Sequence, residues 1–128
     1  MNTHTKYLTM KKCVSVLEDN DELRELFIFI LESEQYLVKS YPNVTKFLAA
    51  LQENLPDIFL LDIMLPDGDG LEICKKLKSD RSTMHIPVIM MSAHRNNEQV
   101  RSSCSAEDFI AKPFDIDDLI QKVDQYVS

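Results

Sequence analysis

The stretch Pro56-Asp57-Ile58-Phe59-Leu60-Leu61-Asp62-Ile63-Met64-Leu65-Pro66-Asp67-Gly68-Asp69-Gly70 decides the fold of this chain. Its unbroken apolar run, Ile58 to Leu61, ends in a carboxylate. Such a run reads as a strand buried on both faces, as in a parallel sheet. An acid at the carboxyl end of that strand lies on the rim where open α/β sheets bind ligands. The chain holds only two glycines, Gly68 and Gly70, and both follow Asp62 within eight residues. Glycine admits turns and close approaches that a Cβ forbids, so the backbone beside Asp62 is expected to be specially shaped. Taken alone, Asp62 could equally well end a strand and cap the next turn.

Working outward, Cys13 to Leu17 reads as a first strand, stopped by Glu18-Asp19-Asn20-Asp21. Leu23, Leu26, Phe27, Ile30 and Leu31 recur at helical spacing. Tyr36 to Tyr41 reads as a weaker strand at a sheet edge. Pro42-Asn43 is a turn with Asn43 as N-cap, and Val44, Phe47, Leu48 and Leu51 form one face of a second helix. A third helix is expected from Leu71 to Leu77 and a buried strand from Pro87 to Ser92. A short, weakly apolar helix follows, from about Asn97 to Cys104. Phe109 to Lys112 is the last strand. Asp115 caps the final helix, whose apolar face is Ile116, Leu119, Ile120, Val123 and Val127. Strand and helix alternate five times. That order implies an α/β fold with a doubly wound parallel sheet covered on both faces.

Bulk properties narrow the function classes. A chain of 128 residues fits one domain and can bury a core without metal or disulfide staples. The net charge of −7 argues against a nucleic-acid surface, so no direct nucleic-acid contact is expected. No apolar run is long enough to insert in a membrane. Cys13, Cys74 and Cys104 form no C-x-x-C pair, which argues against a zinc site or a disulfide framework. Core filling is their expected role, and unpaired thiols fit the reducing cytoplasm. Residues 1–10 read as a polar N-terminal tail before a domain over 11–128, and Met10 offers a translation start alternative to Met1.

Parallel strands align their carboxyl ends on one rim. Here those ends carry Glu18-Asp19, Asp62, Ser92 and Lys112. Carboxylates placed together repel unless a cation compensates. Mg²⁺ fits, because it prefers oxygen ligands and bridges one or two carboxylates to a phosphate. Asp62 would then be the nucleophile of an aspartyl-phosphate centre. Lys112 and the metal would neutralise the transferring group, and Ser92 would donate a hydrogen bond to a phosphoryl oxygen.

In combination, Leu17-Glu18-Asp19, Leu61-Asp62-Ile63-Met64-Leu65-Pro66 with Asp69-Gly70, Met91-Ser92-Ala93 and Ala111-Lys112-Pro113-Phe114 resemble the receiver domain of bacterial two-component response regulators. The likeness runs from about residue 11 to residue 127 and implies a flavodoxin-like sheet of order 2-1-3-4-5. It implies that Asp62 accepts a phosphoryl group from a sensor histidine kinase or a histidine phosphotransfer protein. It implies Mg²⁺ bound directly by Asp19 and Asp62, through water by Glu18, and by the Ile63 carbonyl. Ser92 and Phe109 stand at the switch positions. Met64 and His94 stand where residues modulate phosphoryl lifetime, although His94 reads equally as an exposed loop histidine. The Lys112–Pro113 peptide is expected to be cis. A downstream protein target would be met through the face of the fourth helix, fifth strand and fifth helix. Ser105 replaces a frequent glycine, which suggests a positive φ there.

Three rivals remain in view. An aspartate-nucleophile phosphatase would want an acid where Met64 stands. A flavin carrier would be repelled by Glu18-Asp19-Asn20-Asp21. A receiver-shaped module that binds partners without phosphorylation is the third. Apart from its own phosphorylation and dephosphorylation, no enzyme activity is expected. With no effector domain expected after the last helix, the chain reads either as a stand-alone regulator acting through protein contacts, the favoured reading, or as a domain excised from a longer protein.

Overall fold

The computed structural model describes residues 11–93 and 104–127. In chain order it holds β1 (Cys13–Leu17), α1 (Asp21–Ser33), β2 (Leu37–Tyr41), α2 (Val44–Leu51) and β3 (Ile58–Asp62). A two-residue hairpin, β4 (Met64–Leu65) and β5 (Gly68–Asp69), leads into α3 (Gly70–Ser79). Then come β6 (Val88–Ser92), β7 (Asp108–Ala111) and α4 (Ile116–Val127). Five strands form one sheet in the order β2-β1-β3-β6-β7, every pair parallel. Counting only that sheet's strands, this is the expected order 2-1-3-4-5, with β2 at one edge.

Strand alternation divides the core in two. Val14, Val16, Ile58, Leu60, Ile89, Met91 and Ile110 face α1 and α4, meeting Phe27, Leu31, Leu119 and Val123. Leu17, Phe59, Leu61, Val88, Met90 and Phe109 face α2 and α3, meeting Phe47, Ile73 and Leu77. A fully buried residue such as Phe59 contributes about 1.5–3 kcal/mol by leaving water. β3 and β6 are buried at all five positions, as their apolar runs require for the middle of a doubly covered sheet.

Caps set the helix starts. Asn20 accepts the Leu23 N–H at 2.9 Å, Asn43 the Lys46 N–H at 2.9 Å, and Asp69 the Leu71 N–H at 2.9 Å. Asp115 accepts the N–H groups of Asp117 and Asp118 at 2.8 and 3.2 Å. Each satisfies an N–H that the helix itself leaves without a partner.

Three sequence expectations need correction. Tyr36 precedes β2 and packs inward under the α1–α4 layer. Ile116 is 48 % exposed and not part of the α4 core face, because it opens the helix beyond the sheet rim. Ser105 does not take a positive φ; among the described residues only Gln35 does, at 70°. The expected helix from about Asn97, and the tail 1–10 with its Met10 start, lie outside the described residues.

Candidate functional site

The four polar strand ends do share one rim. The register sets Leu17 beside Leu61, Asp62 beside Met91, and Ser92 beside Ala111. Glu18, Asp62 and Lys112 thus converge from three strands. The Lys112 ammonium lies 2.7 Å from Glu18 Oε1 and 3.2 Å from Asp62 Oδ1. Glu18 is fully buried and Asp62 only 7 % exposed. Asn20 N–H donates to the other Glu18 oxygen at 3.1 Å. Arg24 donates to the Glu18 carbonyl at 2.9 Å and pairs with Asp21 at 2.6 Å, which holds the loop after β1.

Burial pushes the Glu18 carboxyl up, the Asp62 charge adds to that, and the hydrogen bonds from Lys112 and Asn20 oppose it. Burial opposes the charge on Lys112, but the Glu18 and Asp62 carboxylates outweigh it and raise its pKa. Lysine is therefore held as a cation where two acids need one.

Glu18, Asp19 and Asp62 can each offer one carboxylate oxygen such that all three lie within 4.8 Å of one another. Two of these side chains are buried and Asp19 faces solvent. Three acids against one lysine leave negative charge uncompensated, so the donor set suits a hard divalent cation reached from the Asp19 side. The Ile63 carbonyl accepts the Gly70 N–H at 2.7 Å, which leaves its second lone pair for any ion.

That same bond explains a glycine. A Cβ on Gly70 would stand 2.0 Å from the Asp62 carbonyl oxygen and 2.9 Å from the Ile63 Cα. The start of α3 therefore packs directly on the backbone of Asp62. At Gly68 a Cβ would meet Val44 Cγ2 at 3.0 Å, a milder conflict.

Beside Asp62 a cavity of about 130 Å³ is lined by Asp62, Ile63, Met64, Ser92, Ala93 and Lys112. Ser92 is buried at the end of β6, and its carbonyl accepts the Lys112 N–H at 2.8 Å. Phe109 already lies in the core between the sheet and α3. Met64 is exposed at the mouth. The Lys112–Pro113 peptide is cis. His94 lies outside the described residues.

The sequence reading missed one neighbouring contact. Asp67 reaches the start of α2, accepting N–H groups from Val44 at 2.8 Å and Thr45 at 3.0 Å and the Thr45 hydroxyl at 2.8 Å. These bonds hold its carboxyl below its usual range. The segment after Asp62 is thereby tied to α2 as well as α3. Only an Asp in a Pro-Asp-Gly turn signalled it, and its partner lies 23 residues upstream.

Comparison with known proteins bears on this arrangement. Residues 14–124 match the family described as the response regulator receiver domain. The phosphate regulon transcriptional regulatory protein PhoB of Rhizobium meliloti is 35% identical over 112 residues, 86% of this chain and 49% of that protein. The polar-differentiation response regulator DivK of Brucella anthropi is 34% identical over 121 residues, 92% of this chain and 98% of that protein. The crystal structure of response regulator TrrA from Thermotoga maritima in complex with Mg²⁺–BeF superposes with a TM-score of 0.80 at 26% identity, covering 90% of this chain and 98% of TrrA. The chain spans about half the length of the PhoB relatives it matches. Among the described residues no helix is long and apolar enough to cross a membrane.

Proposed function

The chain belongs to the response regulator receiver domain family, and we propose that it is a signalling receiver phosphorylated on Asp62 by the phosphohistidine of a sensor histidine kinase or histidine phosphotransfer protein. The observation that carries this reading is the Asp62 carboxylate, held at 3.2 Å by Lys112 and opening on a small cavity shared with Ser92. An Asp62 oxygen attacks phosphorus; the new P–O bond forms as the P–N bond to the donor imidazole breaks. Lys112 balances charge on the transferring group. The Ser92 hydroxyl donates to a phosphoryl oxygen once the group is in place. Glu18 orients Lys112 and, with Asp19 and Asp62, would hold Mg²⁺, the Ile63 carbonyl serving as a further ligand. When bound, that ion supplies electrostatic stabilisation of phosphoryl oxygens.

The receiver unit is taken as residues 11–128, with 1–10 as a tail. Its chemistry is limited to its own Mg²⁺-dependent phosphorylation and autodephosphorylation. Moving a two-state equilibrium from 1:99 to 99:1 takes about 5.5 kcal/mol, whereas one charge-assisted hydrogen bond supplies about 1.5–3 kcal/mol. Ser92 and Lys112 acting together approach that figure, so phosphorylation shifts a population, with Phe109 closing behind Ser92. The output surface is the face that includes β7 and α4, and its partner is a protein in the cytoplasm. Met64 at the mouth and His94 would tune how fast water reaches the acyl phosphate.

The test is intact mass after incubation with Mg²⁺ and acetyl phosphate. One added phosphoryl group on the parent, and none on Asp62→Asn or in excess EDTA, is expected. No addition to the parent, where another receiver is labelled in parallel, would overturn the reading in favour of a phosphorylation-independent interaction module.

A further inference from the structure

A second cavity lies at the opposite end of the strands from Asp62. In the β1–β2 register Cys13, Ser15 and Leu17 stand beside Leu37, Lys39 and Tyr41. All six point to the α2 side, because side chains alternate along a strand. Leu17 is covered by Val44 and Phe47. Toward the amino ends of the strands α2 has already stopped at Leu51, and the chain turns back into β3. The space left is about 170 Å³, walled by Leu37, Leu51, Leu55 and Pro56 among others.

One buried polar group in this apolar cup has no partner among the described residues, and an exposed lysine stands at the rim. Ser15 is 4 % exposed, lines the cavity, and its hydroxyl has no hydrogen-bond partner among the described residues. The other buried polar side chains are all engaged: Thr83 donates to the Leu77 carbonyl, Glu18 and Asp62 meet Lys112, and Ser92 is partnered. A buried hydroxyl left unpaired costs about 1–3 kcal/mol. Directly across from Ser15 stands Lys39, which is exposed at the rim beside Cys13 and forms no salt bridge among the described residues. The nearby acids are committed or peripheral. Asp57 accepts the Cys13 N–H at 2.7 Å, and Glu53 lies on the Tyr41 side.

We propose that this cavity is a binding site for a small carboxylic acid with a monocyclic aromatic or similarly compact apolar body. The volume is close to that of a cavity of about 150 Å³ that accepts benzene. The apolar walls take the ring, Lys39 neutralises the carboxylate, and the Ser15 hydroxyl donates to one of its oxygens. The site uses β1, the strand that leads to Glu18, but none of the Asp62 chemistry.

The test titrates the full-length, ¹⁵N-labelled chain with benzoate, benzyl alcohol and benzylamine, following amide shifts. Benzoate is expected to give saturable shifts centred on Ser15, Lys39, Leu51 and Leu55, with benzyl alcohol and benzylamine about tenfold weaker. Lys39→Met should bring benzoate down to the level of benzyl alcohol without altering benzyl alcohol itself. Ala50→Met, which fills the cup from α2, should abolish both. Asp62→Asn should leave binding unchanged, which separates this site from the receiver chemistry. No saturation, shifts centred on Lys112, or benzoate binding indifferent to both Lys39→Met and Ala50→Met would overturn the proposal.

Discussion

Lys112 Nζ sits 2.7 Å from Glu18 Oε1, joining the last strand of the sheet to the first across 94 residues of chain. Glu18 has no exposure to water and depends on this partner and on the Asn20 N–H. Lys112 is shared with Asp62 at 3.2 Å. The same lysine therefore serves the fold and the proposed phosphoryl site.

Removing one partner of a buried pair costs more than removing both. Lys112→Met should destabilise the metal-free protein by about 3 kcal/mol in urea unfolding. Adding Glu18→Gln to it should recover part of that loss, giving a coupling of about 1 kcal/mol or more in a double-mutant cycle. Additive losses would show that the pair is not coupled.

Gly70→Ala places a methyl 2.0 Å from the Asp62 carbonyl oxygen. Backbone has to move, at an expected cost of about 2–3 kcal/mol, and acetyl phosphate labelling of Asp62 should fall. Gly68→Ala meets only the Val44 side chain at 3.0 Å and should leave labelling near the parent level. Equal labelling in the two variants would refute the proposed role of this close approach.

Asp67→Asn weakens the tie between the Asp62 segment and α2. The Asp67 pKa is lowered from its ordinary value of 3.8, chiefly by the Val44 N–H. A depressed acid contributes stability that is present above the unfolded pKa and lost as pH falls through the folded one. The melting temperature of Asp67→Asn should lie below the parent's at pH 7, and the gap should narrow as pH drops below 3.8. A gap independent of pH would remove the charge from the account.

Burial, with the Cys104 thiol against it, pushes Cys74 from 9.0 up to about 12. The neutral thiol is favoured in the fold, a contribution complete below pH 9.0 and lost as pH rises toward 12. Iodoacetamide near neutral pH should spare Cys74 in the native protein and label it in urea, as mapped by peptide mass. Native labelling of Cys74 at the rate of half-buried Cys13 would contradict this.

Sequence by itself determined the layered α/β order. Runs such as Ile58 to Leu61 and the helical recurrence of Leu23, Phe27 and Leu31 are local patterns, with periods that survive in the fold. It also placed Glu18, Asp62, Ser92 and Lys112 at strand ends, because a strand that ends in a polar residue says so in adjacent letters. Tertiary structure alone decided the pairings. Lys112 meets Glu18 more closely than Asp62, and Asp67 caps a helix 23 residues before it. Ser15, an ordinary strand residue in the sequence, became a buried hydroxyl with no partner among the described residues, beside a cavity left where the end of α2 meets the sheet. Cys74 and Cys104 came together from α3 and the approach to β7. Each of these depends on register and on how far one helix reaches over the sheet. Those quantities are set by the packing of distant segments, and no local period records them.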